Sequence, residues 1–267
     1  MASKSIFKGS HGINNVLEPH RLQYDDAGYC HFAEAVNVVI DDSGGFYRRF
    51  GTNFLHDKGA HSLWSSGKYC FFVSEGDLYR VLSDFSVVKV IGGIGDTEMV
   101  YAVMHGKCYM SNSNVRLIVT DDSVSSWDAV VPEQFAGDSN VYGIIDNITS
   151  LAVHAGRLFA VSGGKYLWQS IPGNPCCFSI SDGPINIPGL NGIVSVGTGL
   201  YVSCDDGVLF LSGSSKADFV RSVVYTKKII KGTLNVIDGS DVRTGIEYPR
   251  LNAIWVSENG VCIGDIS

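Results

Sequence analysis

The 267-residue sequence predicts an all-β chain: a β-propeller-like ring of about five to six small antiparallel blades with an extended N-terminal arm. Three observations predict it. Helical periodicity is nearly absent, and the apolar runs are short and rich in Val, Ile, Tyr and Phe. Glycine is abundant, at 31 residues against 7 prolines, which suits many strands joined by tight turns. A strand–turn–strand unit also recurs along the chain.

The N-terminal segment comes first. Residues 1–35 read as an extended arm with one short helix over Tyr29–Ala35, and residues 36–267 as the propeller-like domain. The helix is expected to end where Val36-Asn37-Val38-Val39-Ile40 turns β-branched. The hairpin within 36–54 either completes the last blade or forms a sixth.

The repeats follow. They read Leu63–Ser74, Ala102–Ser111, Leu151–Ser162 and Val194–Ser203, with a degenerate fifth at Asn252–Gly264. The turn glycines Gly67, Gly106, Gly156 and Gly199 are spaced 39, 50 and 43 residues apart, and Leu200 to Ile254 is 54. Such spacings, with three or four strands per unit, are those of propeller blades. One small sheet cannot cover its own apolar face, so blades must stack around an axis. The four glycines are expected in equivalent turns, and the first and last strands of the ring are expected to pair. A two-sheet sandwich is the competing architecture. Val131–Asn147 reads as a surface loop projecting from the second blade.

An apolar fraction of 45% against 18% charged residues supports a sizeable core and excludes wholesale disorder. The net charge of −7 argues against a broad nucleic-acid-binding surface. No apolar stretch is long enough to span a membrane, and Met1–Ser10 has no apolar segment of the kind a signal peptide carries. The seven cysteines include no CxxC pair and read as reduced, small buried hydrophobes, with Cys176-Cys177 in a loop after Pro175.

No catalytic residue, metal ligand or cofactor is assigned from the sequence. The pairs Asp25-Asp26, Asp41-Asp42, Asp121-Asp122 and Asp205-Asp206 sit in turns, where Asp caps backbone amides. No HExxH, HxH, GxSxG or GxxxxGK[ST] pattern occurs, and His105 and His154 fall beside turn glycines. Of the four tryptophans, Trp64, Trp168 and Trp255 fall at strand positions, whereas Trp127 has loop-like surroundings.

Basic residues concentrate at Tyr47-Arg48-Arg49-Phe50 and at Lys227, Lys228 and Lys231. Arg48 and Arg49 alternate across a strand, so one of them is expected to turn inward onto a carboxylate. Phe7, Ile13, Val16 and Leu17 make the polar arm apolar enough to dock. With Asn14, Asn15, Arg48 and Arg49 they form the expected partner interface.

The series Gly12-Ile13-Asn14-Asn15, Ala33-Glu34-Ala35-Val36-Asn37-Val38-Val39-Ile40-Asp41-Asp42-Ser43-Gly44 and Arg48-Arg49-Phe50-Gly51 resembles the opening of virion structural proteins of tailed bacteriophages. The pattern departs at Phe50, where a proline is expected. The resemblance implies a non-enzymatic tail component, a nozzle or hub subunit or one associated with the head–tail connector. It implies a role in virion assembly and the DNA ejection conduit, with assembly in the host cytoplasm. The implied partners are other tail or connector proteins and further copies in a homo-oligomeric ring. No sequence-specific nucleic acid and no membrane insertion are implied. The alternative class is a propeller that binds or hydrolyses host cell-surface glycan, for which Trp127 is the candidate exposed aromatic.

Overall fold

The computed structural model describes residues 9–13, 22, 29–32, 34, 36, 38–40, 45–49, 51, 54–135, 137, 139–238 and 251–264. The chain divides into two compact units, Met1–Phe54 and Leu55–Ser267.

The described residues of the first unit include four short strands. β1 (Gly9–Ile13) pairs in parallel with β2 (Tyr29–Phe32), and β3 (Val38–Ile40) pairs antiparallel with β4 (Phe46–Arg48). The helix expected over Tyr29–Ala35 is corrected at its first four residues. Tyr-Cys-His-Phe is rich in strand-favouring side chains, and it pairs with β1 through Gly9–Tyr29, Ser10–Cys30 and Ile13–Phe32. Among the described residues the β3–β4 hairpin forms its own two-stranded sheet, and it falls within the first unit.

The second unit is a five-bladed β-propeller. Blade 1 holds β5 (His61–Ser65), β6 (Cys70–Ser74), β7 (Asp77–Val81) and β8 (Val87–Ile91). Blade 2 holds β9 (Val100–Met104), β10 (Lys107–Ser111), β11 (Arg116–Val119) and β12 (Val124–Ser126). In blade 3, β13 (Tyr142–Gly143) is an added edge strand beside β14 (Ile148–His154), β15 (Arg157–Ser162), β16 (Tyr166–Ile171) and β17 (Asn174–Ser179), and β18 (Ile185–Asn186) pairs with β16. Blade 4 holds β19 (Gly192–Val196), β20 (Gly199–Cys204), β21 (Gly207–Ser212) and β22 (Val220–Tyr225). Blade 5 has three described strands, β23 (Asn235–Asp238), β24 (Leu251–Ser257) and β25 (Gly260–Gly264).

The second strand of each blade explains why the sequence reads as continuous apolar runs. Side chains alternate across a strand, and in these strands both faces are covered. On β10, Cys108 and Met110 pack with Phe71 and Leu78 of blade 1, while Tyr109 turns to Trp127 and Phe178. On β15, Leu158 and Ala160 join that second cluster, and Phe159 and Val161 face Leu200 and Val202 of blade 4. On β20, Tyr201 turns the other way, to Ala253 and Trp255 of blade 5. Among the described residues the result is four cores between successive blades, each holding one cysteine: Cys108, Cys176, Cys204 and Cys262. All seven thiols are free.

Polar ties cross the same seams. The Tyr69 hydroxyl donates to the Gly106 carbonyl at 2.8 Å, and the Tyr225 hydroxyl donates to Ser257 Oγ at 2.9 Å.

Several expectations are corrected here. Gly67, Gly106 and Gly156 lie in the hairpins joining the first and second strands of blades 1 to 3, but Gly199 is the first residue of β20, and the blade 4 turn is Gly197-Thr198. Gly199 is required for another reason. A Cβ there would lie 2.3 Å from the Leu211 carbonyl oxygen and 2.7 Å from the Phe210 ring. Cys176 and Cys177 lie in β17 and are buried, Cys176 in the core shared with Tyr109 and Trp127 of blade 2. The insert at 131–147 is anchored to blade 3, because Tyr142 and Gly143 pair with Ser179 and Phe178. Among the described residues no sheet joins the first and last strands of the ring.

Candidate functional site: the axial face of the propeller

The innermost strands of the blades surround an axial hollow of about 650 Å³. It is lined by Leu63 and Trp64 of blade 1, Glu98 and Tyr101 of blade 2, Asn147 and Thr149 of blade 3, Asn191 and Ile193 of blade 4, and Lys231 and Asn235 ahead of and at the start of β23. Much of the hydroxyl chemistry near the axis ties blades together. The Met99 amide donates to Ser62 Oγ at 2.9 Å and the Ile193 amide to Ser150 Oγ at 3.2 Å. Within blade 4, Ser203 Oγ donates to Asn191 Oδ1 at 2.5 Å. The Trp64 indole stacks on the Tyr101 ring, with centroids 5.1 Å apart and 11° between planes. Glu98, Asn147, Thr149, Lys231 and Asn235 remain exposed around this frame.

A second hollow of about 520 Å³ lies at the junction of blades 2 and 3. It adjoins the first, since Ser113 and Asn147 line both. Its walls are strongly polar: Asn112, Asn114, Arg116, Asp128 and Asp146. The buried Asn112 shapes the β10–β11 turn. Its Oδ1 accepts the amides of Asn114 and Val115, each at 2.9 Å, and its Nδ2 donates to the Ile94 carbonyl at 3.1 Å. Asn114 lies over Gly95, where a Cβ would meet its amide nitrogen at 2.0 Å. Arg116 Nη1 donates to Asp146 Oδ1. Trp127 forms a rigid floor: its backbone amide donates to the Arg116 carbonyl at 3.0 Å and its Nε1 to the Pro175 carbonyl at 3.2 Å.

Trp127 is thus corrected from a loop aromatic to a core residue, with no exposed surface. Trp255 is buried, and Trp64 and Trp168 are half-buried. His105 does occupy a turn, with φ of 52° beside Gly106 at 73°. His154 is buried at the end of β14 and hydrogen-bonds to blade 4.

Asp121 pairs with Lys68 at 2.8 Å and Arg80 at 3.2 Å, so it links blade 2 to blade 1. Those two cations hold its carboxyl below the usual range, Lys68 foremost. Asp205 and Asp206 form the β20–β21 turn. The pairs at 25–26 and 41–42 lie outside the described residues, as do Phe7, Asn14, Asn15, Val16 and Leu17 of the expected interface. Ile13 ends β1. Arg48 and Arg49 are both exposed, which corrects the expected inward arginine: β4 ends at Arg48, so strand alternation does not reach Arg49. Of the second basic group, Lys227 pairs with Glu258 at 2.7 Å and Lys231 lines the axial hollow.

Sequence reasoning missed the polar lining as a set. Its signal is a matter of repeat phase, because Glu98, Asn147 and Asn191 each fall just ahead of a first strand. Among the described residues no group of three or more His, Cys, Asp or Glu side chains is placed to hold a metal ion, and no helix is long and apolar enough to cross a membrane.

No protein-family model matches the chain, and no curated protein matches it in sequence. Among solved structures the chain is similar to Sqt1 of Saccharomyces cerevisiae, with 11% identity and a TM-score of 0.45 over 85% of this chain; the match spans 64% of Sqt1. It is similar to a putative 6-phosphogluconolactonase from Bacteroides uniformis, with 14% identity and a TM-score of 0.41 over 74% of this chain and 67% of that one. A virginiamycin B lyase from Staphylococcus aureus aligns at 12% identity and a TM-score of 0.36, over 92% of this chain and 83% of that one.

Proposed function

We propose that the chain is a non-enzymatic structural subunit of a tailed-bacteriophage virion, a rigid propeller that joins neighbouring tail or connector proteins through its N-terminal unit. The reading rests on the resemblance of the N-terminal series and on one structural observation. The β3–β4 hairpin is a two-stranded sheet of three-residue strands, and it presents Phe46 and Tyr47, 50% and 45% exposed, next to Arg48 and Arg49. Aromatics flanked by arginines are the residue types enriched at the centres of protein interfaces. The net charge of −7 suits a homo-oligomeric ring in which Arg48 and Arg49 of one copy meet its neighbour's carboxylates.

Two experiments test this. Mass spectrometry of gradient-purified particles produced from the genome that encodes the chain should find it at a fixed stoichiometry within the tail; its absence from particles rejects the proposal. The double variant Arg48→Glu, Arg49→Glu should melt at the wild-type temperature yet enter particles poorly. Normal incorporation removes the hairpin from the interface.

A further inference from the structure

We propose that the two adjoining hollows on the axial face form a binding site for a neutral polyhydroxylated ligand, a short carbohydrate chain. Arg116, Asp128, Asp146 and Asn147 supply its polar contacts and Trp64 an apolar wall. This inference stands apart from the virion reading and needs only the purified chain for its test.

Size is the first argument. Hollows of about 650 and 520 Å³ are each in the range of small-molecule sites, and their shared residues, Ser113 and Asn147, make room for more than one ring.

Chemistry is the second. A sugar hydroxyl is donor and acceptor at once. The second hollow offers carboxylate acceptors at Asp128 and Asp146, guanidinium donors at Arg116, and amides able to do both at Asn114 and Asn147. The Arg116 guanidinium spends Nη1 on Asp146, while its Nε is buried and has no hydrogen-bond partner among the described residues.

Charge is the third. One arginine stands against two aspartates and is already paired with one of them, which leaves the wall net negative. Phosphates and uronates are therefore repelled, and a neutral ligand is not.

Rigidity is the fourth. The turn carrying Asn114 is fixed by the three hydrogen bonds of Asn112, and Trp127 is anchored at both its backbone amide and its indole nitrogen. A site on fixed backbone loses little entropy when it is filled.

The test is a titration of the full chain, followed by saturation-transfer NMR and calorimetry. The probes are maltohexaose, cellohexaose, chitohexaose and arabinohexaose, with hexagalacturonate as the charged control. At least one neutral oligomer should bind. Asp128→Ala, and Asn147→Gly (which keeps the left-handed backbone that Asn147 adopts at φ 53°), should each weaken it by about tenfold or more at an unchanged melting temperature. Asp84→Asn, in the β7–β8 turn, should bind as wild type. Failure of all four neutral oligomers at millimolar concentration, preferential binding of hexagalacturonate, or full affinity in both site variants each overturns the proposal.

Discussion

His154 joins two blades through both of its ring nitrogens: Nε2 lies 2.7 Å from the Gly213 carbonyl oxygen and Nδ1 lies 3.0 Å from Ser195 Oγ. A carbonyl only accepts, so in the neutral ring Nε2 carries the proton and Nδ1 accepts from the serine hydroxyl. Replacing His154 by Leu leaves a carbonyl and a hydroxyl without that partner at the seam of blades 3 and 4. The expected loss is about 1–3 kcal/mol of unfolding free energy, measured by urea titration. A variant as stable as wild type shows the bridge to be idle.

Gly199 and Gly197 are two residues apart and predict opposite outcomes. Alanine at 199 drives a methyl against the Leu211 carbonyl and the Phe210 ring, and should cost about 1–3 kcal/mol. At 197 no atom lies within 4 Å, and φ is not positive there, so alanine should be neutral or slightly stabilising through the unfolded chain. Equal melting temperatures for the two variants would contradict this account of the turn.

Trp127→Ala should be among the most damaging single changes, at about 3–5 kcal/mol, because the ring is fully buried between blades 2 and 3. Trp127→Phe should lose less, chiefly the hydrogen bond to Pro175. Tryptophan fluorescence and denaturant midpoints measure both. A stable Trp127→Ala protein would return this residue to the surface.

Asp218 accepts the hydroxyls of Ser215 and Ser214, at 2.6 and 2.9 Å, and their amides at 2.7 and 2.9 Å. These bonds, the Ser215 hydroxyl foremost, hold its carboxyl well below the ordinary value of 3.8. A depressed carboxyl contributes stability above its unfolded value and loses it as the folded group is protonated. The wild-type advantage in melting temperature over Asp218→Asn should therefore be full above about pH 4 and shrink as pH falls toward 2. A gap that stays constant down to pH 2 contradicts the capping role.

The blades were legible in the sequence because their second strands are covered on both faces, which turns strand alternation into unbroken apolar runs such as Leu158–Val161. Gly199 was misplaced by two residues, since a glycine under an aromatic ring on the next strand looks locally like a turn glycine. Trp127 was misread because it follows β12, an exposed edge strand, while the contacts that bury it come from Pro175 and Phe178, some fifty residues on. The polar lining was illegible for the same reason. Arg116 and Asp146 are thirty residues apart, and only the stacking of blades 2 and 3 makes them neighbours.

The cysteines give the ring a built-in clock. With one thiol at each described seam, reaction with a thiol reagent times the opening of each blade pair separately. Cys108, pushed up to about 12 by burial, should be slow in the blade 1–2 seam, and Cys204, also buried, slow between blades 3 and 4. Of the four seam thiols Cys262, half-buried between blades 4 and 5, should react first. Mass spectrometry of partly labelled protein then ranks the seams by how often they part, and so shows at which joint the wheel comes undone.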